Sequence, residues 1–218
     1  MLTIARKRTW TGILAAGIGA LGVTLAAGFG ARPEAVEAVK VGDKAPDFTL
    51  TDIHGKEHKL SDYTAEGKII VLEWFNPDCP FVKKFHYNND TMRTTYAKFD
   101  GKPVEFLAIN SASAPGKQGW GEERNLEAEK QYQIKYPILL DKDGAVGHLY
   151  GATRTPHMFI VDAEGVVRYI GPIDSTNSAR EVGTNYIETA VTQLLAGESE
   201  IVTAEIPVYG CAVKYVTK

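Results

Sequence analysis

The chain has 218 residues, a formal net charge of −3, 44% hydrophobic residues and 23% charged residues. These proportions are typical of a globular protein and exclude an intrinsically disordered one. The nearly balanced charge argues against a nucleic-acid partner, and the length fits one large domain with additional terminal segments.

The N-terminal residues have the pattern of a segment that directs export. A basic cluster at 6–8 is followed by residues 9–31, which contain no charged side chain. This order is typical of a secretory signal peptide, although the uncharged stretch is also long enough for a helix that stays in the membrane. We therefore expect residues 1–31 to be a signal peptide or a membrane anchor, and residues 32–39 to be a linker. The exported chain would be periplasmic or extracellular, where disulfides persist.

The next elements are predicted from the periodicity of apolar residues. Residues 45–63 alternate apolar and polar side chains on both sides of a His-Gly turn, which predicts a β-hairpin. The continuous apolar run at 68–75 predicts a strand that is buried on both faces of a sheet. A helix is expected from Pro80 onward, and the polar residues 87–90 are expected to interrupt it.

The remaining chain alternates predicted strands and helices. These elements are a strand at 103–110, a polar helix at 121–132, a strand at 136–140, a turn with a short helix at 141–151, a hairpin at 158–162 and 166–171, and an amphipathic helix at 185–197. The alternation predicts a mixed α/β sheet that is covered by helices on both faces.

Cys79 stands in the stretch NPDCPFVKK, between the predicted buried strand and the predicted helix. A cysteine at a helix start faces free backbone N–H groups and the positive end of the helix dipole, which favour the thiolate. The thiolate is the nucleophile in thiol chemistry, and Lys83 and Lys84 would favour it further if they point toward the sulfur. Pro80 suits the first helical turn, where its missing N–H group is not needed. The alternative is that Cys79 is a buried and unreactive core residue.

Three stretches in this order resemble the redoxin branch of the thioredoxin superfamily. They are VGDKAPDFTLTDIHGKEHKLSDY, the strand that leads into NPDCP, and GATRTPHMFIVDAEGVVRYIG. The resemblance covers residues 40–197, and residues 198–218 form a C-terminal extension. It implies a thioredoxin-like α/β fold with a central mixed β-sheet, flanking helices and an N-terminal β-hairpin. It also implies a thiol–disulfide oxidoreductase without a cofactor, which acts on a thiol- or disulfide-containing protein or on a small thiol.

The resemblance also implies roles for five residues around the expected site. It implies that Cys79 is the reactive thiol and that Pro156 follows a cis peptide bond beside it. Pro80 and the Thr155 backbone would help to bind an extended substrate chain as an added strand. Glu73 lies six residues before the reactive cysteine, where thioredoxins have a buried acid that accepts a proton. The alternatives for Glu73 are a position at the surface or an ion pair with a nearby lysine.

The sequence departs from the thioredoxin pattern at Val82, which stands where the second active-site cysteine is expected. The only other cysteine of the chain is Cys211, in the C-terminal stretch PVYGCAVKY. A mixed disulfide at Cys79 needs a second thiol for its release, so we expect the C-terminal residues to fold back and bring Cys211 to Cys79. A bond between the two would be either a catalytic intermediate or a permanent structural disulfide, and the sequence leaves both open.

Peroxide reduction is the nearest alternative function within the superfamily. Peroxiredoxins have a proline seven residues before the reactive cysteine and a hydroxyl residue three residues before it, where this chain has Leu72 and Asn76. They also have an arginine at the start of the later strand, where this chain has Pro156, although Arg154 lies two residues earlier. Without a hydroxyl group and a guanidinium to polarise the O–O bond, efficient peroxide reduction is hard to support.

Metal binding and binding without catalysis are alternatives of a different class. Copper carriers use clustered soft thiolate ligands, whereas His86, His148 and His157 are isolated in this sequence, so we expect no metal site. His157 directly follows the expected cis-proline. It is either a catalytic residue or a packed residue that takes no part in the reaction. A thioredoxin-like module that binds peptides without redox turnover is the remaining alternative.

Overall fold

The structure is a computed structural model, and it describes residues 38–201 and 204–216. The predicted signal peptide or anchor at 1–31 and most of the predicted linker at 32–39 lie outside the described residues. Within the described part, none of the helices combines the length and the apolar character that crossing a membrane requires.

The described residues form strands and helices that alternate along most of the chain. The strands are β1 (Thr49–Asp52), β2 (Glu57–Lys59), β3 (Ile69–Trp74), β4 (Val104–Asn110), β5 (Ile138–Leu140), β6 (Arg154–Thr155), β7 (His157–Val161), β8 (Val167–Gly171) and β9 (Cys211–Ala212). The helices are α1 (Leu60–Ala65), α2 (Pro80–His86), α3 (Thr91–Phe99), α4 (Glu122–Tyr132), α5 (Ala145–Tyr150) and α6 (Tyr186–Leu195).

Seven strands form one mixed sheet in the order β2-β1-β5-β4-β3-β7-β8. Strand β3 is parallel to β4, and β4 is parallel to β5, whereas β1, β7 and β8 join their neighbours in antiparallel pairs. The predicted N-terminal hairpin is the antiparallel pair of β1 and β2, with Thr51 opposite Glu57. The predicted mixed sheet and hairpin are therefore confirmed.

Strand β3 is the centre of the core, because all six of its residues are buried. Its alternate side chains face opposite sides of the sheet, as the pleat of a strand requires. Val71 packs in a cluster with residues of α2, α3, α4 and α6, and Cys79 belongs to the same cluster. Leu72 and Trp74 pack in a second cluster with residues of α1 and α5. Helices therefore cover both faces, and the candidate reactive cysteine lies on the α2 side.

The predicted interruption after the first helix is confirmed between α2 and α3. The side chain of Asn89 accepts a hydrogen bond of 3.1 Å from the backbone N–H of Thr91, which satisfies one of the free donors at the start of α3. The start of α6 is capped in a similar way, because the Asn185 side chain accepts from the backbone N–H of Glu188.

Helix α1 and the small sheet of β6 and β9 were not predicted. Helix α1 has only six residues, so its periodicity is too short to stand out in the sequence. Strands β6 and β9 have two residues each and pair across a long stretch of chain, with Thr155 opposite Cys211. A pair of this kind leaves no local signal in either stretch.

A buried ion pair ties α2 to the loop after β8. Lys84 Nζ lies 2.9 Å from Asp174 Oδ2, and both side chains are 0% exposed. The Lys84 ammonium also donates to the Thr176 carbonyl at 3.1 Å, and the Tyr209 hydroxyl donates to Asp174. Lys84 therefore does not meet the condition of pointing toward the Cys79 sulfur, because its buried ammonium requires a counter-charge and Asp174 supplies it.

We expect Lys84→Met to lower the free energy of unfolding by about 3–5 kcal/mol, because it leaves the Asp174 carboxylate buried without its ammonium partner. Lys98→Met is the matched control, since it removes a pair with Glu188 whose side chains are 47% and 40% exposed. Such an exposed pair contributes less than about 1 kcal/mol. Urea unfolding followed by circular dichroism measures both variants, and equal losses would contradict the stabilising role of the buried pair.

Candidate active site

Cys79 lies at the junction that the sequence predicted, as the N-cap residue of α2. Its backbone N–H donates to the Asn76 carbonyl at 3.1 Å, and its own carbonyl accepts from the Lys83 N–H at 2.9 Å, which starts the helix. Pro80 is the first helical residue and is exposed beside it. The Cys79 side chain itself is 0% exposed. The thiol is thus oriented by a helix start but covered by other residues.

The peptide bond between Thr155 and Pro156 is cis, as the resemblance implied. Both residues are buried, and the Thr155 carbonyl accepts a hydrogen bond from the Cys79 thiol at 3.0 Å. The structure therefore brings together Cys79, Thr155 and Pro156, three of the residues that the sequence placed in one site.

The C-terminal segment, defined here as residues 204–216, brings the second cysteine to the same place. Strand β9 pairs antiparallel with β6, so that Cys211 lies opposite Thr155. Cys211 packs against the apolar cluster that contains Cys79, the two side chains are close enough to interact electrostatically, and both cysteines are free thiols. The expectation that the C-terminal residues fold back to meet Cys79 is therefore confirmed in position.

Gly210 allows the C-terminal segment to pass close to β6. A Cβ atom at this position would overlap the backbone carbonyl of Thr155, and the residue has a φ of 119° that side chains of L-residues rarely permit. Glycine is therefore the residue that fits directly before Cys211.

The two thiols differ in their electrostatic surroundings. Burial, followed by the interactions with the Cys79 side chain, raises the pKa of Cys211 from 9.0 to about 12. The positive charges of Lys214 and Arg154 oppose this rise but do not cancel it. Cys211 is therefore protonated at neutral pH.

Asp78, directly before the cysteine, is held by α4 and by the loop before it. The sequence did not connect either of them with the site. Arg124 donates to the Asp78 carboxylate from Nη2 at 2.8 Å and from Nε at 3.0 Å, and the Gly119 N–H donates to it at 2.9 Å. The Asn76 side chain donates to the Gln118 carbonyl at 2.9 Å. An aspartate beside the cysteine was visible in the sequence, but its partner on α4 was not.

Glu73 is buried and paired with a histidine. Its Oε1 lies 2.8 Å from His86 Nε2, and the Tyr136 hydroxyl donates to its Oε2 at 3.2 Å. Both alternatives for Glu73, a surface position and a lysine partner, are wrong, because the side chain faces the core and the last turn of α2. Burial and then the Glu73 charge raise the pKa of Tyr136 well above its ordinary value, so this hydroxyl stays a donor.

His157 has the environment of a packed residue. Burial lowers its pKa to about 4, so the imidazole is neutral at physiological pH. The ring lies 4.5 Å from the ring of Phe159, and the residue is opposite Trp74 in the sheet, on the face away from the cluster of Cys79. This arrangement favours the bystander role. Across residues 38–201 and 204–216, no group of three or more His, Cys, Asp or Glu side chains is arranged to hold a metal ion.

Comparisons with known proteins match most of the described domain. The profile of the AhpC/TSA family matches residues 41–170. The chain is 31% identical to a Bacillus cereus protein named thiol-disulfide oxidoreductase ResA, over 153 residues that cover 68% of this chain and 78% of the relative.

Solved structures show the same architecture. A hypothetical protein from Sinorhizobium meliloti superposes with a TM-score of 0.73 and 25% identity, over 84% of this chain and 98% of that one. The thioredoxin domain of a thiol-disulfide oxidoreductase from Bacteroides vulgatus superposes with a TM-score of 0.53 and 19% identity, over 73% of this chain and 99% of that one. The predicted thioredoxin-like fold is therefore confirmed.

The residues matched by the family profile include the hairpin, β3, Cys79 and the cis-proline, whereas Cys211 lies beyond them. From its matched sequence and its thioredoxin-like fold, this chain belongs to the AhpC/TSA family.

Proposed function

We propose that the protein is a thiol–disulfide oxidoreductase in which Cys79 attacks the substrate and Cys211 resolves the mixed disulfide. The observation that carries this proposal is the position of Cys211 opposite Thr155, whose carbonyl accepts a hydrogen bond from the Cys79 thiol. The relatives named thiol-disulfide oxidoreductase support the reaction class. Cys211 also packs against the apolar cluster that contains Cys79.

The proposed reaction proceeds in two exchange steps. The Cys79 thiolate attacks one sulfur of a substrate disulfide, which forms a Cys79–substrate disulfide and releases the other substrate sulfur as a thiolate. Cys211 then loses its proton and attacks the Cys79 sulfur, which forms a disulfide between Cys79 and Cys211 and releases the second substrate sulfur. Two electrons pass from the protein to the substrate, and the reverse sequence oxidises a substrate dithiol.

The substrate that fits this site is an extended, cysteine-bearing protein segment or a small thiol. The backbone edge of β6, which Arg154 and Thr155 provide, can pair with an added strand. Pro80 and Pro156 flank the same thiol. A substrate strand in this position would present its sulfur to Cys79 from the side on which Cys211 lies.

Glu73 is proposed as the proton acceptor during exchange. It extends from β3 on the same face of the sheet as Val71, whose cluster contains Cys79. Its hydrogen bonds to His86 and Tyr136 hold the carboxylate in a fixed orientation inside the core. The burial of this carboxylate on the Cys79 side of the sheet supports the proposed role, since functional acids are often buried near the reacting group.

Peroxide reduction has less support from the site. Asn76 occupies the position of the peroxidase hydroxyl residue, and its side chain is engaged with the Gln118 carbonyl and the Asp78 N–H. Leu72 points into the cluster on the other face of the sheet. The site therefore lacks, at residue 76, the hydroxyl donor with which peroxidases polarise the O–O bond.

Export is part of the proposal, since disulfide exchange of this kind is most useful where disulfides persist. The basic and uncharged N-terminal residues support it, whether the segment at 9–31 is removed or anchors the chain. Fractionation of cells that express the full chain should find the protein outside the cytoplasm.

Replacing each cysteine in turn tests the two proposed roles. We expect Cys79→Ser to abolish disulfide exchange with a model protein disulfide, and Cys211→Ser to accumulate a mixed disulfide at Cys79. Mass spectrometry of the oxidised wild-type protein should find a peptide that links residues 79 and 211. If Cys211 stays reduced under oxidant while Cys79 turns over, an external thiol resolves the intermediate. Peroxide consumption that survives Cys211→Ser would favour the peroxidase alternative.

The raised pKa of Cys211 makes its alkylation sensitive to Cys79. In the wild type we expect iodoacetamide to modify Cys211 slowly at pH 8, with a rate that still rises above pH 10. Cys79→Ala removes the interactions of Cys79 with Cys211, so the midpoint should move to lower pH while burial keeps it above the ordinary value. Peptide mass spectrometry measures the rate at each pH. An unchanged midpoint would mean that the two sulfurs do not interact.

The pH dependence of the exchange rate distinguishes a proton-accepting role of Glu73 from a structural one. Glu73→Gln keeps hydrogen bonds to His86 and Tyr136 but cannot accept a proton, so exchange should slow about 100-fold at pH 7. At pH 9 the loss should be smaller, because hydroxide replaces the missing base. Glu105→Gln, at a partly exposed carboxylate of β4 that pairs with Lys68, is the control and should leave the rate unchanged. An equal loss at both pH values would assign Glu73 a structural role.

A further inference from the structure

The reactive thiol is closed to solvent in this structure. Cys79 is 0% exposed, its thiol donates to the Thr155 carbonyl, and Cys211 lies opposite Thr155 and packs against the apolar cluster that contains Cys79. A protein disulfide cannot reach a sulfur that is completely covered. Some part of the cover therefore has to move before exchange begins.

The strand that a substrate would add is already occupied by the chain itself. Strand β9 pairs with the edge of β6, with Cys211 opposite Thr155 and Ala212 opposite Arg154. The Val213 N–H extends this pairing with a hydrogen bond of 3.2 Å to the Thr153 carbonyl. A substrate strand and β9 require the same backbone groups, so they cannot bind at the same time.

We propose that residues 209–216 are a removable strand. This strand leaves β6 so that the substrate can bind, and it returns to bring Cys211 to Cys79. Tyr209 is the positioning residue that sets the equilibrium between these two positions of the strand. The proposal rests on the function proposed above and specifies how substrate access and resolution alternate. The returning strand pairs with the same edge of β6 as the substrate. Attack by Cys211 therefore releases the substrate thiolate and displaces the substrate strand at the same time.

Tyr209 connects the removable strand to the helix that carries Cys79. Its hydroxyl donates to Asp174, which is paired with Lys84 of α2 in the buried ion pair described above. Its ring lies 5.6 Å from the ring of Phe81, in the first turn of the same helix. Tyr209 lies two residues before Cys211, so its contacts fix the position of Cys211 relative to α2.

Tyr215 holds the other end of the removable strand. Its hydroxyl donates to the Ala152 carbonyl at 2.8 Å, and its ring stacks on His148 with 4.0 Å between the centroids. Next to it, the Val216 N–H donates to the Ser113 hydroxyl at 3.1 Å. These contacts are polar or lie at the surface.

The burial pattern fits a segment that can detach by itself. Every residue from 204 to 216 keeps part of its surface exposed, whereas Cys79 beneath it keeps none. Segments with few buried apolar contacts open at a lower free energy than the core. The start of the C-terminal segment is held separately on β8, where the Ile206 N–H donates to the Ile170 carbonyl at 3.0 Å, so residues beyond Ile206 can move while the chain stays attached.

Alkylation of Cys79 in a Cys211→Ser background measures the opening directly, because Cys79 is then the only thiol. Adding Tyr209→Phe keeps the ring contact but removes one hydrogen bond to a buried carboxylate. We expect N-ethylmaleimide to react about tenfold faster with Cys79 in that variant, as the docked state loses this bond. Adding Tyr215→Phe should also speed the reaction.

The matched control is Tyr150→Phe, which removes a hydroxyl bond of 2.7 Å to the Pro46 carbonyl, a bond in which the removable strand takes no part. It should leave the alkylation rate of Cys79 unchanged even where it lowers the melting temperature. With Cys211 present, Tyr209→Phe should slow the conversion of a Cys79 mixed disulfide into the 79–211 disulfide, although it speeds the first attack. A general loss of stability does not produce these opposite effects.

Two results would overturn the proposal. One is an alkylation rate in Tyr209→Phe equal to that in Tyr150→Phe, and the other is fast alkylation of Cys79 before any tyrosine is changed. The alkylation experiment needs only the Cys79 thiol, so it tests whether the strand detaches independently of the exchange reaction. A failure of the proposed function appears separately, as the absence of exchange and of a 79–211 peptide in a protein whose alkylation does respond to Tyr209→Phe.

Discussion

The backbone of Thr155 is the point on which the site depends. Its carbonyl accepts a hydrogen bond from the Cys79 thiol, and the residue faces Cys211 across the pair of β6 and β9. Strand β7 begins two residues later and lies against β3 in the middle of the main sheet. The carbonyl that binds the Cys79 thiol is thus fixed by the most buried part of the core, and the site acquires the rigidity of that core.

Paired charges fix α2 on the other side of the sulfur. A charge inside a protein is costly unless a partner of opposite sign lies beside it, so each pair specifies one arrangement of the elements that it joins. These pairs tie the helix or the loop before it to the segment after β8, to α4 and to β3. They are the ion pairs of Lys84 with Asp174 and of Asp78 with Arg124, and the hydrogen-bonded pair of Glu73 and His86.

The replacement of a second helical thiol by Val82 changes how the site is organised. In a motif with both cysteines on one helix, the resolving thiol stays in place whether or not a substrate is bound. Here the second sulfur belongs to a segment that also covers the first one and occupies the edge of β6. In the proposed mechanism, access to the reactive thiol and resolution of its mixed disulfide are two positions of the same segment. Val82, a residue of α2, is buried in the core.

Much of this protein is determined by its sequence alone. The buried run of β3, the hairpin at 45–63, the helix that starts at Pro80 and the position of Cys79 at its N-cap follow from local periodicity and from the special conformations of proline and glycine. The partners of those residues were decided only by the tertiary structure. His86 beside Glu73 and Asp174 beside Lys84 come from residues distant in the chain, and the two-residue strands at Thr155 and Cys211 are too short for any pattern. Local sequence specifies local conformation, whereas the pairing of buried charges and of short edge strands depends on the packing of the whole sheet, which no single stretch encodes.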